Sequence, residues 1–333
     1  MKFFPVSLML LGLALCATPV KAVSINGQNY VSLTDWARAN GLRVQTFDRG
    51  DKIALTDSNT RLVFDVDSPD AEINGVNVRL SFPVASQKNV PLIAQLDIDK
   101  ALRPLLYPQR TAAGRIKTIC LDPGHGGKDT GNRVGGIIWH NEKTYTLSLA
   151  LELRSQLKNA GFNVILTRSK DANVDLPARP AIANRTGADL FVSLHFNATT
   201  NSPDEVQGPE TYCITPVGAA SSNARGEGSN HGATPANRFE QSSLLLAYQV
   251  QKSLVKNLGL VDRSVRRARF AVLRDAAMPA ILVEGGYMTH PVDGKKIFSA
   301  AYRKQMAAAI VKGILAYQKL VEPPVKTPTT KKK

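Results

Sequence analysis

Four residues of this 333-residue chain carry groups able to hold a metal ion and move a proton, and they recur at comparable places in the local sequence. His125 sits among Gly124, Gly126 and Gly127 in LDPGHGGKDTG (121–131), just past the apolar run from Ile116 to Leu121. Glu142 opens a helical segment after a loop containing Gly135 and Gly136, His195 follows the run LFVSL, and Glu284 ends AILVE. Glycine lets a chain turn sharply off a strand, and open α/β sheets place their ligands beyond the carboxyl ends of strands. Two imidazoles and a carboxylate fill three positions of a tetrahedral zinc site and leave the fourth for water, which is what separates catalytic from structural zinc. Zinc lowers the pKa of such a water from ~15.7 to ~7. A carboxylate outside the metal set then accepts the water's proton and passes it to a leaving amine, an effect worth ~10²–10⁴ in rate. The expected division is His125, Glu142 and His195 on Zn2+, with Glu284 as the catalytic base because Gly285 and Gly286 leave space for substrate beside it.

Each residue also has a plainer reading. A histidine in a glycine turn often only hydrogen-bonds locally, Glu142 suits the first turn of any helix, and Glu284 has the position of a strand-end ion-pair partner. The joint placement of all four within one α/β unit favours a site.

The elements that must position them read as strand–helix alternation from Arg115 onward. Strands are expected at 116–121, 162–167, 190–194, 209–215, 270–273 and 280–284, and helices at 142–160, 177–186, 239–258 and 299–318. Continuous apolar strands between amphipathic helices predict an α/β fold, a mostly parallel central sheet with helices on both faces. A small α+β domain, 23–107, is expected to precede it, with Asn-Gly hairpins at 25–27 and 73–75 and strands at 52–55 and 61–66. A short helix capped by Ser32 or Thr34 stops before Gly41, and a second runs from about Ile93 to Leu106. Residues 108–114 read as a linker, 115–321 as the catalytic domain, and 322–333 as a basic tail too polar and Pro-rich to fold.

Residues 1–22 have an early Lys2, an apolar run from Val6 to Cys16 and a small-residue exit at Ala22, the pattern of a secretory signal. The run is too short to span a bilayer, which takes ~20 residues. The expected location is therefore exported, in the periplasm or cell envelope, with no stable membrane span in the mature chain. A lipid anchor at Cys16 is the rival reading, disfavoured by the bulky Leu15. Beyond the signal only Cys120 and Cys213 remain, each inside an apolar strand, which suits small core side chains better than a disulfide or a nucleophile.

Charge is uneven. Residues 23–107 hold 9 Lys and Arg against 10 Asp and Glu, whereas 108–321 hold 27 against 16. No nucleic-acid module accompanies this surplus, so no nucleic-acid partner is expected, and anionic envelope polymers suit an exported basic protein better.

Residues 116–318 resemble the catalytic domain of zinc-dependent N-acetylmuramoyl-L-alanine amidases, the amidase-3 family. The motifs that carry the resemblance are LDPGHGGKDTG (121–131), Asn141-Glu142-Lys143, VILTRSKD (164–171), ANRTGADLFVSLHFNA (183–198), GPETYCI (208–214) and AILVEGGYMTH (280–290). The resemblance implies that His125, Glu142 and His195 bind zinc and that Glu284 is the catalytic glutamate. It implies hydrolysis of the amide between N-acetylmuramic acid and the L-alanine of the stem peptide in peptidoglycan, for cell-wall remodelling or cell separation. Residues 23–107 resemble, more loosely, the copper amine oxidase N-terminal-like stalk domain, a likeness of shape without copper chemistry.

Weaker candidates sort beside these. Arg179 is expected to anchor the helix preceding the His195 strand, and Asn197 to orient the His195 loop. Arg274 and the cluster Arg263, Arg266, Arg267 and Arg269 either meet peptide carboxylates or form a solvated basic face. His231 and His290 are spare. The polar excursion 216–238 holds Glu227 as its only carboxylate, which argues against an arm that caps the metal. A zinc peptidase cutting within the stem, and a wall-binding protein with a retired site, remain as rivals; a protein activator is left open.

Overall fold

The computed structural model describes residues 22–110, 114–135, 138–222 and 232–323. Most of the segment expected to be a secretory signal, through residue 21, lies outside the described residues, as do Glu227, His231 and most of the basic tail.

The strands Asn163–Leu166, Thr118–Pro123, Leu190–Asn197 and Ala280–Tyr287 lie side by side in that order and run parallel. They are apolar on both faces because both faces are covered. Leu121, Val192, Leu194 and Val283 pack beneath the helices Glu142–Asn159, Glu240–Leu258 and Ala300–Val321. Cys120, Phe191 and Leu282 point the other way, towards Ala183, Val272 and Leu273 on the short helices Ala178–Arg185 and Ala271–Arg274.

The sheet is mixed rather than mostly parallel. Glu210–Cys213 joins Ala280–Tyr287 antiparallel, and Val265–Arg267 then pairs parallel to Glu210–Cys213. One further register pair, Val265 with Val78, continues the same sheet into the strands Val76–Arg79, Asp70–Ile73, Arg61–Asp65, Lys52–Thr56 and Arg43–Phe47. These last five are antiparallel throughout, since short turns allow no other direction. The Asn74-Gly75 turn has φ of 48° and 78°, and Asn26-Gly27 has 49° and 78°, the left-handed pair that a two-residue hairpin requires. Ser32 caps Leu33–Ala39 as expected, its Oγ accepting from Asp35 N at 3.1 Å. The second helical stretch begins at Gln95, because Val90–Ala94 is a strand.

The expected strand at 270–273 is a helical turn, Ala271–Arg274, and the strand lies just before it at Val265–Arg267. Phe270 O accepts from both Leu273 N and Arg274 N, which closes the turn. Four apolar residues cannot distinguish strand from helix by periodicity.

The amino-terminal strands and the rest share one hydrophobic cluster running from Leu55, Phe64 and Val78 to Tyr248 and Val265. Polar contacts reinforce it. Tyr248 donates to Ile73 O at 2.8 Å, Asp262 Oδ2 accepts from Asn77 N at 2.7 Å, and Arg267 donates to Lys100 O at 2.7 Å.

Candidate active site

The turn after Thr118–Pro123 holds His125 with φ of 62°. That left-handed backbone is uncommon outside glycine and persists only where its surroundings fix it. Two buried arginines do so. Arg168 donates to the carbonyls of Pro123 and Gly124 at 3.0 and 2.8 Å, and Arg179 to those of Pro123 and His125 at 2.9 and 3.0 Å. Arg179 also pairs with the fully buried Asp122 at 2.8 Å. It therefore clamps the histidine turn itself, as well as tying its own helix to Val174 O.

The three proposed ligands come together. Donor atoms of His125, Glu142 and His195 all lie within 4.8 Å of one another. His125 Nε2 is 3.1 Å from Glu142 Oε2, and His195 Nδ1 is 3.0 Å from Glu142 Oε1. A tetrahedral site with bonds of ~2.0–2.1 Å has ligand edges of about 3.3 Å, so these separations suit a shared cation. The glycines serve this packing as much as the turn. A Cβ on Gly124 would lie 2.2 Å from His195 Cε1, and one on Gly131 would lie 2.6 Å from both Glu142 Oε2 and His125 Cδ2.

Glu142 is buried, at 1 % exposure, and each of its oxygens is aimed by a second donor. Phe196 N donates to Oε1 at 3.1 Å, while Asn132 donates to Oε2 through its backbone N at 2.9 Å and its side chain at 3.0 Å. Burial pushes the Glu142 carboxyl up, but hydrogen bonds and charge from His125 and His195 outweigh it and hold the group well below its ordinary range. Burial works against a charged His125, yet Glu142 and Asp129 prevail and raise its pKa. Asp129 Oδ2 lies 2.8 Å from His125 Nδ1, the place of the outer carboxylate that in metal sites fixes an imidazole's tautomer and orientation.

Glu284 lies in the same row of the sheet. Its register partners are His195 on one side and Glu210 on the other. Its Oε2 is buried with no hydrogen-bond partner among the described residues. Burial, then the charges of Glu142 and Glu210, push its carboxyl well above the ordinary range. An orphaned oxygen beside two imidazoles and a carboxylate is what a site built to receive a cation and a water would show.

Gly285 and Gly286 do not make room for substrate. A Cβ on Gly285 would lie 2.7 Å from the Phe196 ring, and Gly286, at φ 124°, would meet Asp293 Oδ2 at 2.8 Å. Both glycines serve packing behind the strand. Among the weaker candidates, His290 caps Pro291–Phe298, its Nδ1 accepting from Val292 N and Asp293 N at 3.3 Å, and takes no part in the site. Asn197 reaches Glu210 at 3.5 Å. Arg267 and Arg269 are buried on backbone carbonyls, Arg274 is exposed, and Arg263 and Arg266 turn to Glu210. Cys120 and Cys213 are free and buried, their thiols pushed up by burial to about 12 and about 11.

Sequence reasoning missed Asp129, Asn132, Asp171 and Glu210 as parts of this site. Lys143, noted only as a motif residue, holds the glycine loop by donating to Gly127 O at 2.8 Å and Asp171 Oδ2 at 2.7 Å. Their roles depend on contacts that only the fold supplies, Asp129 on His125, Asn132 on Glu142, Asp171 on Lys143 and Glu210 opposite Glu284.

Residues 119–316 match the protein family described as N-acetylmuramoyl-L-alanine amidase. The N-acetylmuramoyl-L-alanine amidase AmiC of Neisseria meningitidis serogroup B is 35% identical over 251 residues, covering 69% of this chain and 59% of that protein. The chain thus spans about three fifths of that relative's length. Among solved structures, the amidase AmiC2 of Nostoc punctiforme aligns with a TM-score of 0.51 at 35% identity, over 62% of this chain and 99% of that one. The CwlD amidase of Clostridioides difficile, solved in complex with the GerS lipoprotein, aligns with a TM-score of 0.51 at 26% identity, over 61% and 98%.

Proposed function

Since the chain belongs to the N-acetylmuramoyl-L-alanine amidase family, we propose that it hydrolyses the amide between N-acetylmuramic acid and the L-alanine of the peptidoglycan stem, using zinc. The observation that carries this reading is the convergence of His125, Glu142 and His195 donor atoms within 4.8 Å, with Glu284 as the next register position. Two neutral imidazole nitrogens and one carboxylate oxygen form a donor set suited to Zn2+ with an open position. Zinc held there supplies Lewis-acid polarisation of the amide carbonyl and acidifies water.

The chain's own residues do the rest. Asp129 keeps His125 Nε2 turned to the metal by holding Nδ1. Asn132 and the Phe196 amide fix both Glu142 oxygens. Glu284 Oε2 takes a proton from the attacking water and returns it to the nitrogen of L-alanine, so the C–N bond breaks to a free lactyl carboxylate and a free amino terminus. The raised Glu284 carboxyl suits the return of the proton to the leaving nitrogen, and a nearby cation would favour the ionised form that first accepts it.

On the same reading the chain acts outside the cytoplasm, in the periplasm or cell envelope, with residues 1–22 as its secretory signal. No helix among the described residues is long and apolar enough to cross a membrane. Residues 23–107 serve as a stalk-like module of the kind the sequence resembles, joined by 108–114 to the catalytic 115–321. The C. difficile neighbour solved in complex with a lipoprotein supports a protein partner.

The deciding experiment is mass spectrometry of sacculi digested with and without chelator. Lactyl-ended glycan and intact stem peptides, formed only in the absence of chelator, are expected. Shortened peptides on uncut glycan would replace the amidase by a peptidase.

A further inference from the structure

We propose that Arg263 and Arg266 form a carboxylate subsite that holds the stem peptide beside the scissile amide; the proposal rests on the amidase reading above. Both guanidiniums converge on Glu210, with Arg263 Nε at 2.8 Å and Arg266 Nε at 3.6 Å. Glu210 is 3 % exposed, and it also accepts from Tyr212 and Tyr287 hydroxyls at 2.7 and 3.1 Å. One buried carboxylate is thus shared by two cations that remain 28% and 22% exposed, leaving a surplus positive charge at the surface.

Arg263 donates to Glu210 through Nε at 2.8 Å, and Arg266 Nε lies 3.6 Å from the same oxygen as a charge contact without a hydrogen bond. A guanidinium's planar fork matches a carboxylate, and two of them stand here side by side. Arg266 Nε donates to Arg263 O at 3.1 Å, and the Arg263 guanidinium lies 5.2 Å from the Tyr287 ring centroid, which restrains both. Their neighbours in sequence behave otherwise: Arg267 and Arg269 are buried on the carbonyls of Lys100, Pro216 and Ala219.

Position decides what the charge is for. His195, Glu284 and Glu210 are successive register partners on three adjacent strands. Strands lie ~4.7–4.9 Å apart, so the Glu210 anchor is about 10 Å from the His195 backbone, along the same sheet face. An extended peptide advances ~3.3–3.6 Å per residue and covers that distance in about three residues. An acidic group on the second to fourth residue of the stem therefore reaches the two arginines while the first amide lies at Glu284. Beyond them the surface opens into a groove of about 450 Å³ between Arg263 and Arg266 and the strands bearing Asp70, Asn77 and Arg79, which gives the rest of the stem a path.

The test compares a muropeptide with free stem carboxylates against the same muropeptide with those carboxylates amidated, in the full chain with zinc. Wild type is expected to favour the free acid in kcat/KM by about tenfold or more, the scale of a charged hydrogen bond. Arg266→Gln, which leaves the closer Arg263–Glu210 pair in place, should reduce that preference through KM and affect the amidated substrate far less. Arg263→Lys keeps the pair with Glu210, guards against misfolding of the glutamine variant, and should also lose preference because it lacks the fork. Equal turnover of both muropeptides by wild type, or equal loss on both in the variants, would overturn the subsite and leave the amidase standing. A zinc-loaded wild type inert on both would remove the amidase reading and the subsite with it.

Discussion

His195 and Glu284 are register partners across two parallel strands, so the sheet itself sets the spacing between an imidazole of the proposed metal set and a carboxylate. A slip of one residue would send either side chain to the opposite face. The pairing becomes irregular between His195 and Asn197, a bulge-like break of the kind that re-aims side chains beside active sites. Binding and proton transfer are consequently separable by substitution.

Glu284→Ala should retain zinc at wild-type stoichiometry and lose hydrolysis by ~10²–10⁴, the usual contribution of a positioned acid–base group. His125→Ala should lose both metal and activity. Metal analysis of purified protein beside a turnover assay on muropeptides checks the pair. Near-normal turnover in Glu284→Ala would remove it as the base.

The Asp129 carboxylate bonds His125 Nδ1 at 2.8 Å and accepts from the Gly131 amide at 3.0 Å. Asp129→Ala should weaken zinc affinity ~10–100-fold, the usual effect of losing an outer carboxylate, while the fold stays intact. Competition with a metal indicator, alongside thermal melting of the metal-free protein, separates the two. Unchanged affinity would show that the loop alone orients the ring.

Acid should strip the metal. The zinc-bound form needs His125 neutral, whereas Glu142 and Asp129 raise its pKa in the metal-free protein. Protons therefore compete as pH falls through that raised value, and each proton displaced costs about tenfold in affinity per pH unit below it. Glu142 is held low and stays ionised through this window, so it adds nothing to the slope. Zinc titrations from neutral to mildly acid pH should show affinity falling; a flat profile would contradict the His125 assignment.

The cluster of His125, Glu142 and His195 was legible in the sequence because a glycine-framed histidine and strand-end residues leave a local pattern. Asp129 and Asn132 were not, because their roles depend on how the 126–132 loop closes back on Glu142. Glu210 appeared only inside a motif, since its meaning comes from lying opposite Glu284. Apolar periodicity located most strands but carries no direction, so the antiparallel Glu210–Cys213 and the continuation through Val265 and Val78 were invisible. Val265–Arg267 was hidden by its arginines, one of which is buried through a bond to Lys100 O that only the fold supplies.

Far from the site, Gly313 tests what holds the helical layer. The helices Glu240–Leu258 and Ala300–Val321 approach so closely that a Cβ on Gly313 would lie 2.6 Å from Val250 Cα and 2.9 Å from Gln249 O. These are backbone atoms, which cannot rotate aside. Ser253 Oγ donates to Ala309 O at 2.6 Å across the same interface, fixing the spacing one turn away. Alanine would gain ~0.5–1 kcal/mol of helix preference over glycine. Forcing an extra carbon into a packed interior costs ~1–3 kcal/mol, so the clash prevails and Gly313→Ala should lower Tm. Zinc stoichiometry should be untouched, because Gly313 faces the Glu240–Leu258 helix and touches none of the three proposed ligands. A Tm equal to or above wild type would mean that the two helices can separate without loss, and that their contact is looser than the structure shows.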